Sequence, residues 1–316
     1  MKQLFFICLF FCFYANSQDF NSIDTKVRSY PSYLSAQKLA QKINTDFTTN
    51  RAKVRAIFTW LTAHVKYDLE AYNNPTSKRI RFTYRSEKEK QQKLQQIKNQ
   101  IVDETFQTKK AVCEGYAQSF KRLCDLLAIE AVVIKGYARS NSADIGVIPT
   151  KTNHAWNAVK IGTQWKLIDA TWATGYAINH QWKKHFNDYY FFTKPTELLR
   201  SHLPEHAAWQ LTKTTLTKKD FANQPLIGQG FFMNKLTLLT PKKGVITKTG
   251  NVTFKLKGLS KNDIIGYAFK DTPYGKKAHV TFNNTIGSFV VNIPKKRNNA
   301  LYLFINNEVA LEYKIR

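Results

Sequence analysis

The chain has 316 residues, of which 43% are hydrophobic, 14% aromatic and 22% charged. That apolar content excludes a wholly disordered chain, and the scarcity of Gly (13) and Pro (9) excludes a collagen-like or low-complexity one. The 48 Lys+Arg against 22 Asp+Glu give a net charge of +26, which brings an anionic partner into consideration.

The first segment is an address. Met1-Lys2 precedes an unbroken apolar run from Leu4 to Tyr14, and Ala15-Asn16-Ser17 offers small residues before Gln18. This is the pattern of a secretory signal peptide, residues 1–17, and the run is too short for a spanning helix. The expected location is secreted or periplasmic, with no transmembrane segment. Cleavage would remove Lys2, taking the charge from +26 to +25, and would leave Cys113 and Cys124 as the only cysteines. If residues 113–128 are one helix, these two lie about 16 Å apart along its axis, too far for a disulfide. Both thiols are expected to be free.

Ser35–Ile43 reads as a first helix. Asn50–Val65 places Val54, Ile57, Phe58, Leu61 and Val65 at helical spacing, with Asn50 as its cap. Residues 73–100 form a basic, apolar-poor insertion, a solvated helix or a loop. Residues 113–128 carry Tyr116, Phe120, Leu123, Cys124 and Leu127 on one stripe, so Cys124 is a core residue. Ala131–Tyr137 reads as a strand. Ala155–Val159 and Gln164–Asp169 read as a pair of strands around Ile161-Gly162-Thr163. Residues 180–210 look aromatic and helical. Beyond about residue 222, seven short alternating runs separated by turn residues predict a β-sandwich. At about 100–200 residues per domain this makes two domains, 18–222 and 223–316.

Residues 106–176 carry the chemistry. Cys113 opens a helix, where the positive end of the dipole suits a nucleophilic thiol. His154 starts one strand and Asp169 ends the next, and a turn near Gly162 sets them opposite each other. A carboxylate there can hold an imidazole tautomer while the other ring nitrogen reaches the thiol. Trp156, Trp172 and Tyr116 are candidates for the substrate wall, with Tyr137 and Tyr176 of the same kind. His202 and His206 lie four apart, but Pro204 interrupts the turn, and neither they nor His180 and His185 make a metal site. Gly228-Gln229-Gly230 lacks the context of a phosphate loop.

Val112-Cys113-Glu114-Gly115-Tyr116-Ala117, Gly136-Tyr137-Ala138, His154-Ala155-Trp156-Asn157 and Asp169-Ala170-Thr171-Trp172 together resemble the transglutaminase-like superfamily. His64-Val65-Lys66-Tyr67-Asp68 and the tail from Phe191 to Leu211 fit the same pattern, over about residues 50–212. The likeness is greatest to the branch that includes the kyphoscoliosis peptidase and cytokinesis proteins. It implies an α+β fold with a papain-like core, followed here by the small all-β sandwich. It also implies a Cys113-His154-Asp169 triad that works through a thioester without a cofactor, and it makes Gln107, six residues before Cys113, a candidate oxyanion donor beside the backbone N–H of Cys113. Hydrolysis of a peptide or protein amide is expected first. Glutamine-to-lysine cross-linking is the alternative, and a non-catalytic envelope scaffold is a third reading. The basic charge is spread over both halves of the chain, so an anionic envelope surface is a better partner than nucleic acid.

Overall fold

The computed structural model describes residues 20–74, 82–178, 181–295 and 299–316. The signal-peptide reading, His180 and part of the basic insertion fall outside these residues. Among the described residues, no helix is long and apolar enough to cross a membrane.

Five helices and a five-stranded antiparallel sheet build the first core. Helices α1 (Phe20–Arg28), α2 (Ala36–Asp46) and α3 (Asn50–His64) come first. Ser35 caps α2, accepting from the Lys38 N–H at 3.3 Å. The cap of α3 is Thr49, not Asn50, because the Thr49 hydroxyl accepts from the Ala52 N–H at 3.2 Å and Asn50 is already helical. Helix α3 is buried on nearly every side, from Ala52 to Thr62. It carries a guanidinium into the core: Arg55 Nε donates to Asp24 Oδ1 at 2.8 Å and Nη2 to Oδ2 at 2.5 Å, and Nη1 pairs with Asp188.

The basic insertion resolves into helix α4 (Glu87–Thr108), capped by Ser86 and opened by Glu87 and Glu89, which suit its positive end. Only Val102, Thr105 and Phe106 are buried, so most of α4 is solvated. Helix α5 (Cys113–Leu126) packs on it where Gly115 leaves room; a Cβ there would meet Thr105 Oγ1 of α4 at 2.8 Å. Cys124 is fully buried on the stripe of α5, and both described cysteines are free.

The sheet runs β4-β3-β2-β1-β5, with β1 Ala131–Ala138, β2 His154–Ile161, β3 Gln164–Ile168, β4 Phe191–Thr193 and β5 His202–Pro204. Residues 181–210 are therefore mainly short strands and single turns, not helix. Pro195 and Pro204 break up any long helical run there. Buried Asn157 of β2 donates to the carbonyls of Ala117 (3.0 Å) and Val132 (3.1 Å), which locks the sheet onto α5.

Gly136 is the tightest point of the sheet. It pairs with His154 on one side and Pro204 on the other. A Cβ there would lie 2.3 Å from the Leu203 carbonyl oxygen and 2.5 Å from Trp156 Cη2. Gly136→Ala is expected to destabilise the fold by roughly 1–3 kcal/mol, as overpacking does. Urea unfolding would show it as a lower midpoint at an unchanged slope.

Two further sheets follow. One pairs Leu226–Ile227, Glu308–Ile315, Asn299–Ile305 and Ile265–Phe269 in that order. The other orders Thr237–Thr240, Gly250–Lys257, Ile286–Ile293 and Thr281–Asn283. Their alternating inward residues, such as Phe254, Leu256, Phe289, Val291, Leu311 and Tyr313, enclose a second hydrophobic core.

Candidate active site

Three elements converge at the C-terminal end of β3. Cys113 is the first residue of α5 and is half-buried. Its cap, Val112, offers no side-chain acceptor, so the positive end of the helix is left to the thiol and the first N–H groups. His154 is the first residue of β2. Asp169 leaves β3 as the cap of helix α6 (Ala170–Thr174), with Oδ1 accepting from the Trp172 N–H at 2.9 Å.

His154 and Asp169 meet, though not directly across the hairpin. The turn uses only Gly162, at φ +59°, and Thr163, so Ile161 pairs with Gln164 and Asn157 with Ile168. The register is two residues off the expected one. His154 and Asp169 are diagonal neighbours on one face, still within side-chain reach. His154 Nε2 lies 2.6 Å from Asp169 Oδ2, and both groups are buried. Cys113 lies near enough to the ring to help raise its basicity.

The electrostatics follow from this contact. Burial alone pushes the His154 imidazole down, but the Asp169 charge and hydrogen bond, aided by Cys113, raise it to about 10. Burial opposes ionisation of Asp169, yet His154 and His202 hold it well below the usual carboxylate range. The site thus holds an anionic carboxylate, a protonated imidazole at neutral pH and a thiol beside it. Such a set can deliver a nucleophilic sulfur and move one proton.

His202, considered from the sequence only as a metal ligand, is the residue that reasoning missed. It sits on β5, where an i,i+4 helical pair with His206 does not exist. Its Nε2 lies 3.0 Å from the same Asp169 Oδ2, and Nδ1 lies 2.8 Å from Ser201 Oγ. Burial lowers its basicity, so it is neutral, accepting from Ser201 and donating to Asp169. Its ring packs edge-on to Trp172 and Trp156, with centroids 4.4 and 5.2 Å away. No local spacing could show this, because β5 reaches the site across β1.

The ligating atoms of His154, Asp169 and His202 lie within 4.8 Å of one another, close enough to hold a metal ion. Both Nε2 atoms are already directed at Asp169 Oδ2 by hydrogen bonds. His202→Leu is expected to lower kcat about tenfold with KM little changed, the size of one lost positioning hydrogen bond. His202→Gln, whose amide can still donate, should restore most of the loss.

The other candidates divide. Trp172 and His154 line a cavity of about 710 Å³. Trp156 and Tyr116 are almost wholly buried and cannot touch a substrate. Trp156 stacks on His154 at 5.9 Å, and the Tyr116 hydroxyl donates to the Val65 carbonyl at 2.7 Å. Tyr137 is buried likewise, whereas Tyr176 is exposed at the cavity rim. Gln107 is exposed on α4, where it shares a surface groove with Asp103 and Glu104 and none with His154, so the structure does not bring it to the site. Its six-residue offset from Cys113 spans a helix end, so the helix turns it outward.

Residues 37–170 match the family model of the Transglutaminase-like superfamily. The chain is similar to human kyphoscoliosis peptidase, 25% identical over 240 residues covering 75% of this chain and 33% of that protein. It is also similar to cytokinesis protein 3 of Schizosaccharomyces pombe, 25% identical over 238 residues covering 71% of this chain and 23% of that protein. The chain thus spans about a third or less of the length of these curated relatives. Among solved structures it is similar to a TGase, at a TM-score of 0.32 and 19% identity, covering 58% of this chain and 40% of that one.

Proposed function

We propose that this chain, whose residues 37–170 form a transglutaminase-like domain, is a thiol-dependent enzyme that hydrolyses peptide or protein amide bonds. Residues 18–222 would carry the chemistry and residues 223–316 would form the β-sandwich domain. The observation that carries the reading is the 2.6 Å contact between His154 and Asp169, with Cys113 near the same ring.

In this mechanism Cys113 Sγ attacks the amide carbonyl carbon as a thiolate paired with the His154 imidazolium. The backbone N–H of Cys113 faces the developing oxyanion. Collapse breaks the C–N bond, and the amine leaves with the proton carried by His154 Nδ1. A thioester remains on Cys113. Water then attacks it, His154 takes the water proton, and the acid leaves as the thiolate re-forms. Asp169 stays ionised throughout and holds the imidazole in place.

The printed name of the kyphoscoliosis peptidase supports hydrolysis over transfer. Incubation of the protein with a peptide library and a primary amine separates the readings, with Cys113→Ala as control. Cleaved peptides that depend on Cys113 support hydrolysis. Amine adducts at glutamine would instead establish cross-linking, and neither product would establish a non-catalytic scaffold. Export belongs to the same proposal. Amino-terminal sequencing of the mature protein should begin at Gln18, and its elution from anionic liposomes should depend on salt.

A further inference from the structure

The cavity beside His154 is closed on one side by the second half of the chain. Leu226 and Ile227 pair with Glu312 and Leu311 of the last strand, and the Gly228 N–H donates to the Ala310 carbonyl at 2.9 Å. Arg139 ties this junction down. Its Nη1 donates to the carbonyls of Ala222 (3.2 Å) and Gln224 (3.0 Å), and its Nη2 to that of Arg200 (2.8 Å). Asn187 adds a bond to Gln229 at 2.5 Å. Glu312 is therefore held at the cavity wall by backbone pairing on both sides.

Three features of that wall belong together. Glu312 lines the same cavity as His154, and its carboxyl forms no ion pair with a lysine or arginine among the described residues. It accepts from the Ser142 backbone N–H, and burial, with Asp144 nearby, pushes it up to about 7. Much of the remaining wall is aromatic, including Tyr67, Tyr72, Trp172, Tyr176 and Trp182, and the Trp182 Nε1 is buried without a partner. No lysine lines the cavity, in a chain with 48 Lys+Arg. Arg139, also at the wall, has its Nη groups engaged by three carbonyls.

A half-buried carboxylate without a cation carries a desolvation cost in the free protein. A carboxylate and aromatic rings lining one cavity supply the chemistry that holds an ammonium or guanidinium group. We propose that Glu312, reaching in from the β-sandwich, and these aromatic walls form a subsite for a lysine or arginine side chain of the peptide acted on at Cys113. The inference rests on the peptide-amide reading above. It gives the β-sandwich a role in substrate choice.

The test uses fluorescein-labelled decapeptides that are identical except at one scanned position, which holds Lys, Arg, norleucine or Glu. Fluorescence anisotropy with the full-length Cys113→Ala protein reads binding without turnover. At one position, Lys or Arg should bind at least tenfold tighter than norleucine, with Glu weakest. Adding Glu312→Gln should bring the Lys-to-norleucine ratio close to one, and Glu312→Lys should invert it. Thermal melts show that each variant is folded; should Glu312→Lys fail to fold, the Gln variant decides. Equal binding of Lys and norleucine peptides, or a ratio unmoved by Glu312→Gln, overturns the subsite. The wild-type protein is assayed for cleavage of the same peptides. Absence of cleavage with the binding preference intact would sink the hydrolytic reading alone.

Discussion

Asp169→Asn is expected to lower kcat by roughly three to four orders of magnitude, the cost of presenting the wrong imidazole tautomer to a nucleophile. Asp169 has three partners. Oδ2 faces the Nε2 atoms of His154 and His202 at 2.6 and 3.0 Å, and Oδ1 accepts from the Trp172 N–H at 2.9 Å. An amide can keep the cap through its oxygen, but its NH2 group then faces two ring nitrogens that now need an acceptor. His154 would flip its tautomer and lose its charge. The pH profile supplies the sign. Asp169 is what raises the His154 imidazole to about 10 against burial. In the wild type the alkaline limb of kcat/KM should therefore lie well above pH 8, where the imidazolium finally deprotonates. In Asp169→Asn the residual rate should show that limb moved well down the pH scale, because only Cys113 then opposes burial. A variant that loses rate with its alkaline limb unmoved would mean that Asp169 does not set the charge of His154.

The largest expected stability effect lies at a buried ion pair in the helical core. Arg55→Met should cost about 3–5 kcal/mol, the range for removing one partner of a buried ion pair. The Arg55 side chain is only 3% exposed and that of Asp24 only 11%. Losing the guanidinium strands Asp24 with a single Thr59 hydroxyl at 2.6 Å. It also removes a cation from between the rings of Phe20 and Phe191, at 4.7 and 4.8 Å from their centroids. Chemical denaturation would register the loss. The double variant Arg55→Met, Asp24→Leu should recover much of it, since a well-packed apolar pair replaces a buried charge pair at little cost. A loss below about 1 kcal/mol would place the pair in the class of surface ion pairs.

The parts legible in the sequence were those carried by short-range pattern. The stripe of α5, the β-branched run of β1 and the turn at Gly162 announced themselves through spacing alone. Cys113, His154 and Asp169 stood out because each has its own flanking signature. What remained hidden depends on contacts far apart in the chain. A two-residue turn displaced the hairpin register by two, which no residue count around Gly162 could decide. His202 enters only because Gly136 lets β5 close against β1. Gln107 fit an offset measured along the chain, but its helix ends at Thr108 and faces it to solvent. Nothing in the spacing of α3 marks Arg55, whose burial depends on Asp24 and Asp188 from two other segments. Glu312 was one of few acids in a basic stretch, and nothing local showed that its strand would border the cavity.

The account turns on a covalent acyl intermediate at Cys113. Rapid acid quenching of the protein with a cleavable peptide, followed by intact-mass and peptide-mapping spectrometry, tests it directly. The expected result is a mass increase equal to the acyl fragment, mapped to Cys113, labile to hydroxylamine and absent from Cys113→Ala and His154→Ala. Turnover that persists in Cys113→Ala, or an acyl group mapped to any other residue, would contradict it.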